Sequence, residues 1–291
     1  MRKETLLRHT KIANDILYYI YTHIETHIDL DELSEDLGVS KFHMHRIFKE
    51  TFDKNIYESI KSIRLQKAAS LLLTNRYSTI SEVASLCGYS SHSSFIKAFR
   101  DRFGKSPKNW RRGGYKTYSD RILKQSKTAM ASTADFSGIQ PTIEKMPEME
   151  SYYIRHKGYG AEIRSTWQKL HTWVLNQDLK HYREIALFHD NPTITPLDEC
   201  QYIACIVAEK REAVKSDRLP SFKISGGTYA RFDLTGRHGD LLRFIHWVYH
   251  EWLPLSAFET TTKPSYAVYR KNNFLSEDDT FDLSFYISVN F

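Results

Sequence analysis

Cysteine is scarce: three residues, Cys87, Cys200 and Cys205, in a chain of 291, with no Cys-x-x-Cys pair among them. An odd, sparse set with no histidine at metal-ligand spacing argues against a disulfide framework, a zinc site or a dithiol redox centre. Each cysteine lies in an apolar stretch and reads as a small buried hydrophobe. Long apolar runs are also missing. None approaches the ~18 residues of a membrane span, and the sequence after Met1 opens directly into polar, helix-like residues, so the expectation is a cytoplasmic chain with no membrane partner. Thirteen histidines form no His-Glu-x-x-His or related constellation, and no Ser-His-Asp set is recognisable. No metal, cofactor or catalytic residue is therefore expected.

The length suits two domains of about 100–200 residues. Hydrophobic content of 41% and charged content of 26% are those of an ordinary globular chain,. The net charge of +6 is unevenly placed. Residues 1–113 hold 19 lysines and arginines against 13 aspartates and glutamates, whereas residues 114–291 hold 22 of each. All of the positive excess thus lies in the first third, as expected of a part that meets phosphates.

That first third reads as almost pure helix. Ala13, Leu17, Ile20 and Ile24 recur at helical spacing, and a long helix over Ile56–Leu73 is apolar on more than one side. Sliding the chain against itself reveals a repeat. Leu30, Leu33, Ser34, Leu37 and Gly38 match Ile80, Val83, Ala84, Cys87 and Gly88 at a displacement of 50 residues. After one extra residue, Met44, Arg46, Phe48, Lys49 and Phe52 match Phe95, Lys97, Phe99, Arg100 and Phe103. Each unit is a short helix, a glycine turn and a second amphipathic helix with basic residues between apolar anchors: a helix-turn-helix, twice.

The second helix of such a motif enters the major groove with its N-terminal side chains against base edges. Ser40 suits the N-cap of the first reading helix, and Ser90 or Ser91 that of the second. With Met44, Ile47 and Phe48 assigned to the core, Phe42, His45 and Arg46 remain to face the groove. Their counterparts in the second unit are His92, Ser93 and Lys97. Lys49, Arg100 and the Arg111–Arg112 pair suit phosphates. Two reading helices on one rigid connector would span successive major grooves, about 34 Å apart, so one chain could read an asymmetric, bipartite double-stranded DNA site as a monomer.

Residues 40–49, Ser-Lys-Phe-His-Met-His-Arg-Ile-Phe-Lys, resemble the first reading helix of Rob-like members of the AraC/XylS family. The stretch from Ser93 to Arg100, with Phe103-Gly104, Ser106-Pro107 and Trp110-Arg111, is similar to the family's signature segment. The resemblance covers residues 10–112 and implies DNA contacts at Phe42, His45 and Arg46. Phe42 and His45 depart from the usual large aromatic and glutamine, so the target sequence does not carry over.

Residues 114–139 change character, with Gly113-Gly114, many Ser, Thr and Lys and few periodic apolar positions, and read as a linker between a DNA-binding domain over 8–113 and a second domain over 140–291. Strand-like runs at Tyr152–Ile154, Ile185–Phe188, Tyr202–Val207, Tyr229–Leu234, Tyr266–Tyr269 and Phe281–Val289 alternate with helical stretches over Glu162–Asn176 and Asp240–Leu253. Strand, helix, strand, strand occurs twice. The expected fold class is an all-α double helix-turn-helix followed by an α+β domain of duplicated βαββ units. Paired units leave a groove, and Tyr159, Trp167, Phe188, Tyr229, Trp247, Tyr269 and Tyr286 are candidates to line it for a small ligand. On the last strand, alternation sets Leu283, Phe285, Ile287 and Val289 toward the core and Asp282, Ser284, Tyr286 and Ser288 the other way.

His156-Lys157-Gly158-Tyr159, His189-Asp190-Asn191-Pro192, Gly226-Gly227-Thr228-Tyr229 and Phe285-Tyr286-Ile287 in this order are similar to the GyrI-like effector-binding domain. The resemblance implies a central groove for amphipathic or cationic ligands. Many such domains place a glutamate in that groove; the aligned residue here is Ser284. Asp282 either substitutes for it from the same face or is a solvated carboxylate. Without a groove carboxylate a buried cation is costly, and a neutral or anionic effector fits as well. A hydrolytic role needs a general base there, which Ser284 does not supply. The reading is therefore a regulator that is not an enzyme, binds DNA and a small-molecule effector, and acts through RNA polymerase. The alternative is a C-terminal domain that serves as a protein-interaction module.

Overall fold

Two copies of one helix pair organise the first hundred residues, started and stopped by the same local chemistry. The computed structural model describes residues 2–209, 214 and 219–290, so Phe291, at the end of the second domain, lies outside the described residues. After α1 (Arg2–Thr22), the first unit is α2 (Leu30–Asp36) and α3 (Lys41–Phe52). Helix α4 (Ile56–Thr74) leads to the second, α5 (Ile80–Leu86) and α6 (His92–Phe103). The matched helices have equal lengths, seven and twelve residues. Ser40 caps α3 by accepting from the His43 amide at 3.2 Å, and Ser91, not Ser90, caps α6 by accepting from the Ser94 amide at 3.3 Å,. The Thr79–Glu82 capping box starts α5,. Asp53 and Gly104, both left-handed, end the two reading helices,.

Helix α4 is buried on most sides because it serves two cores. Ile56, Ile60 and Ile63 pack with Met44, Ile47 and Phe48 of the first unit. Leu65, Ala68, Ala69 and Leu72 join Phe95, Phe99 and Phe103 of the second.

Residues 114–139, expected as a linker, are folded and packed. After α7 (Pro107–Asn109) and a kinked turn over Trp110–Gly114, broken at Gly113 with φ +103°, come α8 (Tyr115–Leu123) and α9 (Lys127–Ala131). Tyr115, Ile122, Ala129 and Phe136 in this stretch are buried. Their spacing is too irregular to reveal an amphipathic stripe, which hid their burial from the sequence.

The second domain is one antiparallel sheet built from β1 (Thr142–Met146), β2 (Met149–Lys157), β3 (Tyr182–Phe188), β4 (Gln201–Ala208), β5 (Ser221–Ile224), β6 (Gly227–Arg237), β7 (Glu259–Thr260), β8 (Ser265–Lys271) and β9 (Thr280–Asn290). Its order is β1-β6-β9-β8-β3-β4-β2-β5, with β7 beside β9. Helix α10 (Ile163–Gln177) follows β2; α11 (Asp240–Trp247), a π-helical turn over Val248–Trp252 and α12 (Leu253–Leu255) follow β6. The expected duplication is therefore present as β2-α10-β3-β4 and β6-α11-β8-β9. The equivalent strands β3 and β8 meet at the seam, with Ala186 opposite Ala267. Strands β1, β5 and β7 are additions; β5 and β7, of four and two residues, are too short for alternation to be read,.

Candidate DNA-reading surface and interdomain seam

The polar side chains left over from the two helix-turn-helix cores lie outward. On α3, Phe42 is 79% exposed, an unusual position for a large apolar ring,. Arg46 and Lys49 are exposed and His45 is half-buried. The His45 ring stacks on Tyr57 of α4 at 5.6 Å, and burial and Lys41 push its pKa down. Arg46 reaches the His43 Nδ1 at 2.9 Å and lies 3.9 Å from Glu50. On α6, His92, Ser93, Lys97 and Arg100 are exposed, and Ser93 Oγ sits 3.1 Å from the Ser91 cap. Tyr57, Tyr77 and His43 were missed by the sequence reading. They stand outside the matched repeat, or share a helix with Arg46 without occupying a face assigned to bases. Arg111 departs from its expected role. It is half-buried, its Nε and Nη2 lie out of water, and the charge it faces is Glu259 of the second domain. A guanidinium so enclosed is poorly placed for a phosphate.

The nine candidate ligand residues do not converge on one groove. Trp167, Phe188 and Tyr269 lie in the core between the sheet and its helices, with Tyr159 and Trp247 packed at its edge. Trp167 Nε1 donates to the Tyr202 hydroxyl at 2.9 Å. Tyr229, Asp282, Ser284 and Tyr286 point from the opposite face. The physical reason is strand parity: neighbouring residues face opposite ways, so Tyr269 and Tyr266 on β8 lie on different sides. Tyr266 stacks on Tyr286 at 4.7 Å and meets Tyr229 edge-on at 5.2 Å. The alternation read for β9 holds. Asp282 keeps a side chain 40% exposed to water, as one of the two readings had it, but it is not free for a cation, because Arg270 donates to it at 2.6 and 2.9 Å. Ser284 donates to Asp233 and accepts from Arg270 at 2.7 Å.

Helix α1 lies against this second face. Tyr18 packs its ring 5.4 Å from Phe222 and donates to the Lys223 carbonyl at 3.2 Å. Nearby, Tyr21 donates to Asp190 at 3.3 Å, and Arg155 Nε donates to Asn14 at 3.0 Å. A second junction joins the end of α4 to β7: Thr74 and Thr260 hydroxyls lie 2.6 Å apart, and Asn75 exchanges bonds with the Thr260 backbone in both directions. The Tyr77 amide donates to Glu259 at 3.0 Å. The side-chain polar atoms of buried Asn75 and Thr260 are all paired there, which is the condition for a stable polar contact,.

Lys67 of α4 is held at this seam with its ammonium pushed down by burial from 10.5 to about 8, against the opposing pull of Asp190 and Cys87. The Asp190 carboxyl is itself raised by burial, and His189 is driven well below its usual value by burial, then by Arg155 and Lys67. Replacing Lys67 with methionine is expected to stabilise the protein by about 1–3 kcal/mol at pH 7, because an apolar side chain of similar length needs no desolvation. From pH 8 to 10.5 the unfolded chain keeps the lysine proton that the folded chain has released, so this group's contribution to stability gains with pH, opposed by the buried cysteines and tyrosines whose raised pKa values act the other way,. Urea unfolding should therefore show the stability advantage of Lys67→Met over the wild type shrinking between pH 7 and pH 10, the cysteines and tyrosines being common to both; an advantage independent of pH would remove Lys67 as the cause.

Comparison with known proteins agrees with this architecture. Residues 139–289 match the GyrI-like small molecule binding domain, and residues 33–113 match a helix-turn-helix domain. The transcriptional regulator Rob of Salmonella typhimurium is 24% identical over 271 residues, covering 84% of this chain and 85% of its own. The xylose operon regulatory protein of Escherichia coli is 32% identical over 95 residues, 33% of this chain and 24% of its own, so the chain spans about a quarter of that relative's length. The solved C-terminal domain of AraT, a response regulator from Geobacillus stearothermophilus, is 30% identical, with a TM-score of 0.33, over 35% of this chain and 84% of its own.

Proposed function

The chain belongs to the GyrI-like small-molecule binding family, in the Rob-like architecture that sets this domain behind an AraC-type helix-turn-helix region, and on that premise we propose that it is a transcription regulator that reads DNA through α3 and α6 and senses a small effector through residues 140–291. The observation that carries the DNA reading is the pair of serine-capped, twelve-residue helices with exposed side chains at their N-termini. Phe42, His45 and Arg46 on one, and His92, Ser93 and Lys97 on the other, supply base contacts; Lys49 and Arg100 supply phosphate contacts. One chain carries both readers, so it binds an asymmetric, bipartite site as a monomer and acts on RNA polymerase in the cytoplasm. On the effector side, the Tyr229, Tyr266 and Tyr286 cluster, with Tyr266 stacked on Tyr286 and Tyr229 edge-on, is at most 7% exposed, so an effector engages it only by parting those rings. Asp282 and Ser284 are already engaged by Arg270, which favours an effector other than a simple cation.

Selection of bound sequences from a random DNA pool with the full chain tests this. Two enriched boxes about one helical turn apart support two reading helices on one chain; the absence of enrichment would refute sequence-specific reading. On the selected site, Arg46→Ala is expected to cost about 1–3 kcal/mol and to relax preference at a single base pair. A loss equal on all sequences would make Arg46 a phosphate contact instead.

A further inference from the structure

Between the first helix-turn-helix and the sheet lies a cleft of about 840 Å³ that neither domain forms alone. Helices α1 and α4 and the inner side of α3 make one wall, and β2 with the start of β4 the other. The volume is that of a site for a small molecule. Its depth is apolar: Leu17, Phe48, Ile63 and Tyr153 are each at most 5% exposed.

Two polar groups in this lining lack partners. Arg155 spends Nε on Asn14 and sets Nη1 3.3 Å from His189 Nδ1, but its buried Nη2 bonds to nothing, and no ion pair holds Arg155 among the described residues. Gln66, 9% exposed, likewise has a buried Oε1 without a donor. The nearby carboxylate, Asp190, has one oxygen bonded by the Tyr21 hydroxyl and the other by the Gln201 amide. Buried donors and acceptors left unmatched are costly, and an occupant that matched both would recover that cost. The rim bears Arg8, Lys11, Lys54 and Lys157 against Glu4, Asp53 and Glu199, the last of them 3.5 Å from Arg102 outside the cleft, a small excess that draws anions.

We propose that this cleft is a binding site for a small amphipathic anion, with its acid group on Arg155, a hydroxyl or amide donor on Gln66 and its apolar body against Leu17, Ile63 and Tyr153. The proposal rests on the sensing role of the second domain and adds a site several strands away from the Tyr229–Tyr286 cluster on the same sheet face. The occupant touches both domains at once and meets Phe48 and Phe52 on the inner side of the helix that carries Phe42 and Arg46 outward. It therefore favours the docked arrangement over any other.

The test titrates the full chain with the fluorescent anion anilinonaphthalene sulfonate, and with phenylnaphthylamine, the same body without its charge. One sulfonate molecule is expected per chain. Arg155→Leu should weaken the sulfonate about 10–100-fold and leave the neutral dye nearly unchanged. Ser62→Trp, which fills the cleft from α4, should weaken both dyes. Thermal melts without dye report whether each variant is folded; if Arg155→Leu is not, the Ser62→Trp comparison decides. An unchanged sulfonate affinity in Arg155→Leu with a loss in Tyr286→Ala would overturn the cleft site while keeping the sensing role. Equal loss of both dyes in Arg155→Leu would overturn recognition of the charge. If the wild-type chain bound neither dye, the cleft site would fall, and failure of small molecules of any charge to raise its melting temperature would remove the sensing role with it.

Discussion

Trp110→Ala is expected to lower stability by about 3–5 kcal/mol and to abolish reading by α6 before reading by α3. The ring is fully buried where the second reading helix, the connector α4 and α8 converge. Its Nε1 donates to the Ala69 carbonyl of α4 at 3.0 Å. Phe103, Tyr118 and Phe99 surround it at 4.8, 5.4 and 5.7 Å. Truncation leaves a cavity among aromatics already locked against one another, so the site relaxes only partly and most of the cost remains. The core of the first unit is a separate cluster, which is why the two boxes should respond unequally. Urea unfolding gives the cost; footprinting on the selected DNA should show protection lost over one box and kept over the other. Loss of both together would mean that the two units unfold as one. Trp110→Phe separates the terms, keeping much of the packing while deleting the hydrogen bond.

The second large effect is expected at Gly88. Both turn glycines of the repeat are left-handed, Gly38 at φ +62° and Gly88 at +71°, a conformation that costs any other residue about 1–2 kcal/mol. Their surroundings differ. A Cβ on Gly38 would meet nothing within 4 Å, whereas on Gly88 it would lie 2.6 Å from the Ile24 carbonyl oxygen and 2.6 Å from the Arg64 guanidinium. Arg64 can swing, but a backbone oxygen yields only if the two units move apart. Arg64 also ties the junction by donating to the Thr26 carbonyl at 2.9 Å. Gly38→Ala should therefore cost about 1–2 kcal/mol from backbone strain alone, and Gly88→Ala about 2–4 kcal/mol once the overpacking is added. Because the Gly88 contact spans the two units, its alanine variant should also change the spacing preferred between the two DNA boxes. Equal destabilisation by the two substitutions would show that the close approach to Ile24 carries no weight.

Much of the DNA-reading surface was legible in the sequence because its determinants are local. The repeat exposed both units, and the capping serines followed from the residue types that can satisfy the first amides of a helix. The outward positions of Phe42, Arg46, His92 and Lys97 followed from the 3.6-residue period once Met44, Ile47, Phe48, Phe95 and Phe99 were assigned inward. Arg111 failed the same logic because the partner that encloses it, Glu259, lies almost 150 residues away. The ligand residues failed for another reason. Aromatic content marks residues that prefer burial, not the layer in which they are buried, and Trp167, Phe188 and Tyr269 went to the helix-covered core while Tyr229 and Tyr286 took the other face.

What the sequence determined by itself was the two helix-turn-helix units with their capping serines, the six strands of the duplicated units and the two helices between them, since these depend on two periodicities and on hydrogen bonds spanning a few residues. What only the tertiary structure decided was which sides meet: α1 on the sheet, Thr74 and Asn75 on Thr260, Tyr21 on Asp190, and a cleft with Arg155 at its depth. Those contacts join residues more than a hundred positions apart. They are selected by apolar area buried and polar atoms satisfied over the whole assembly, and neither quantity is written in any local stretch of the chain.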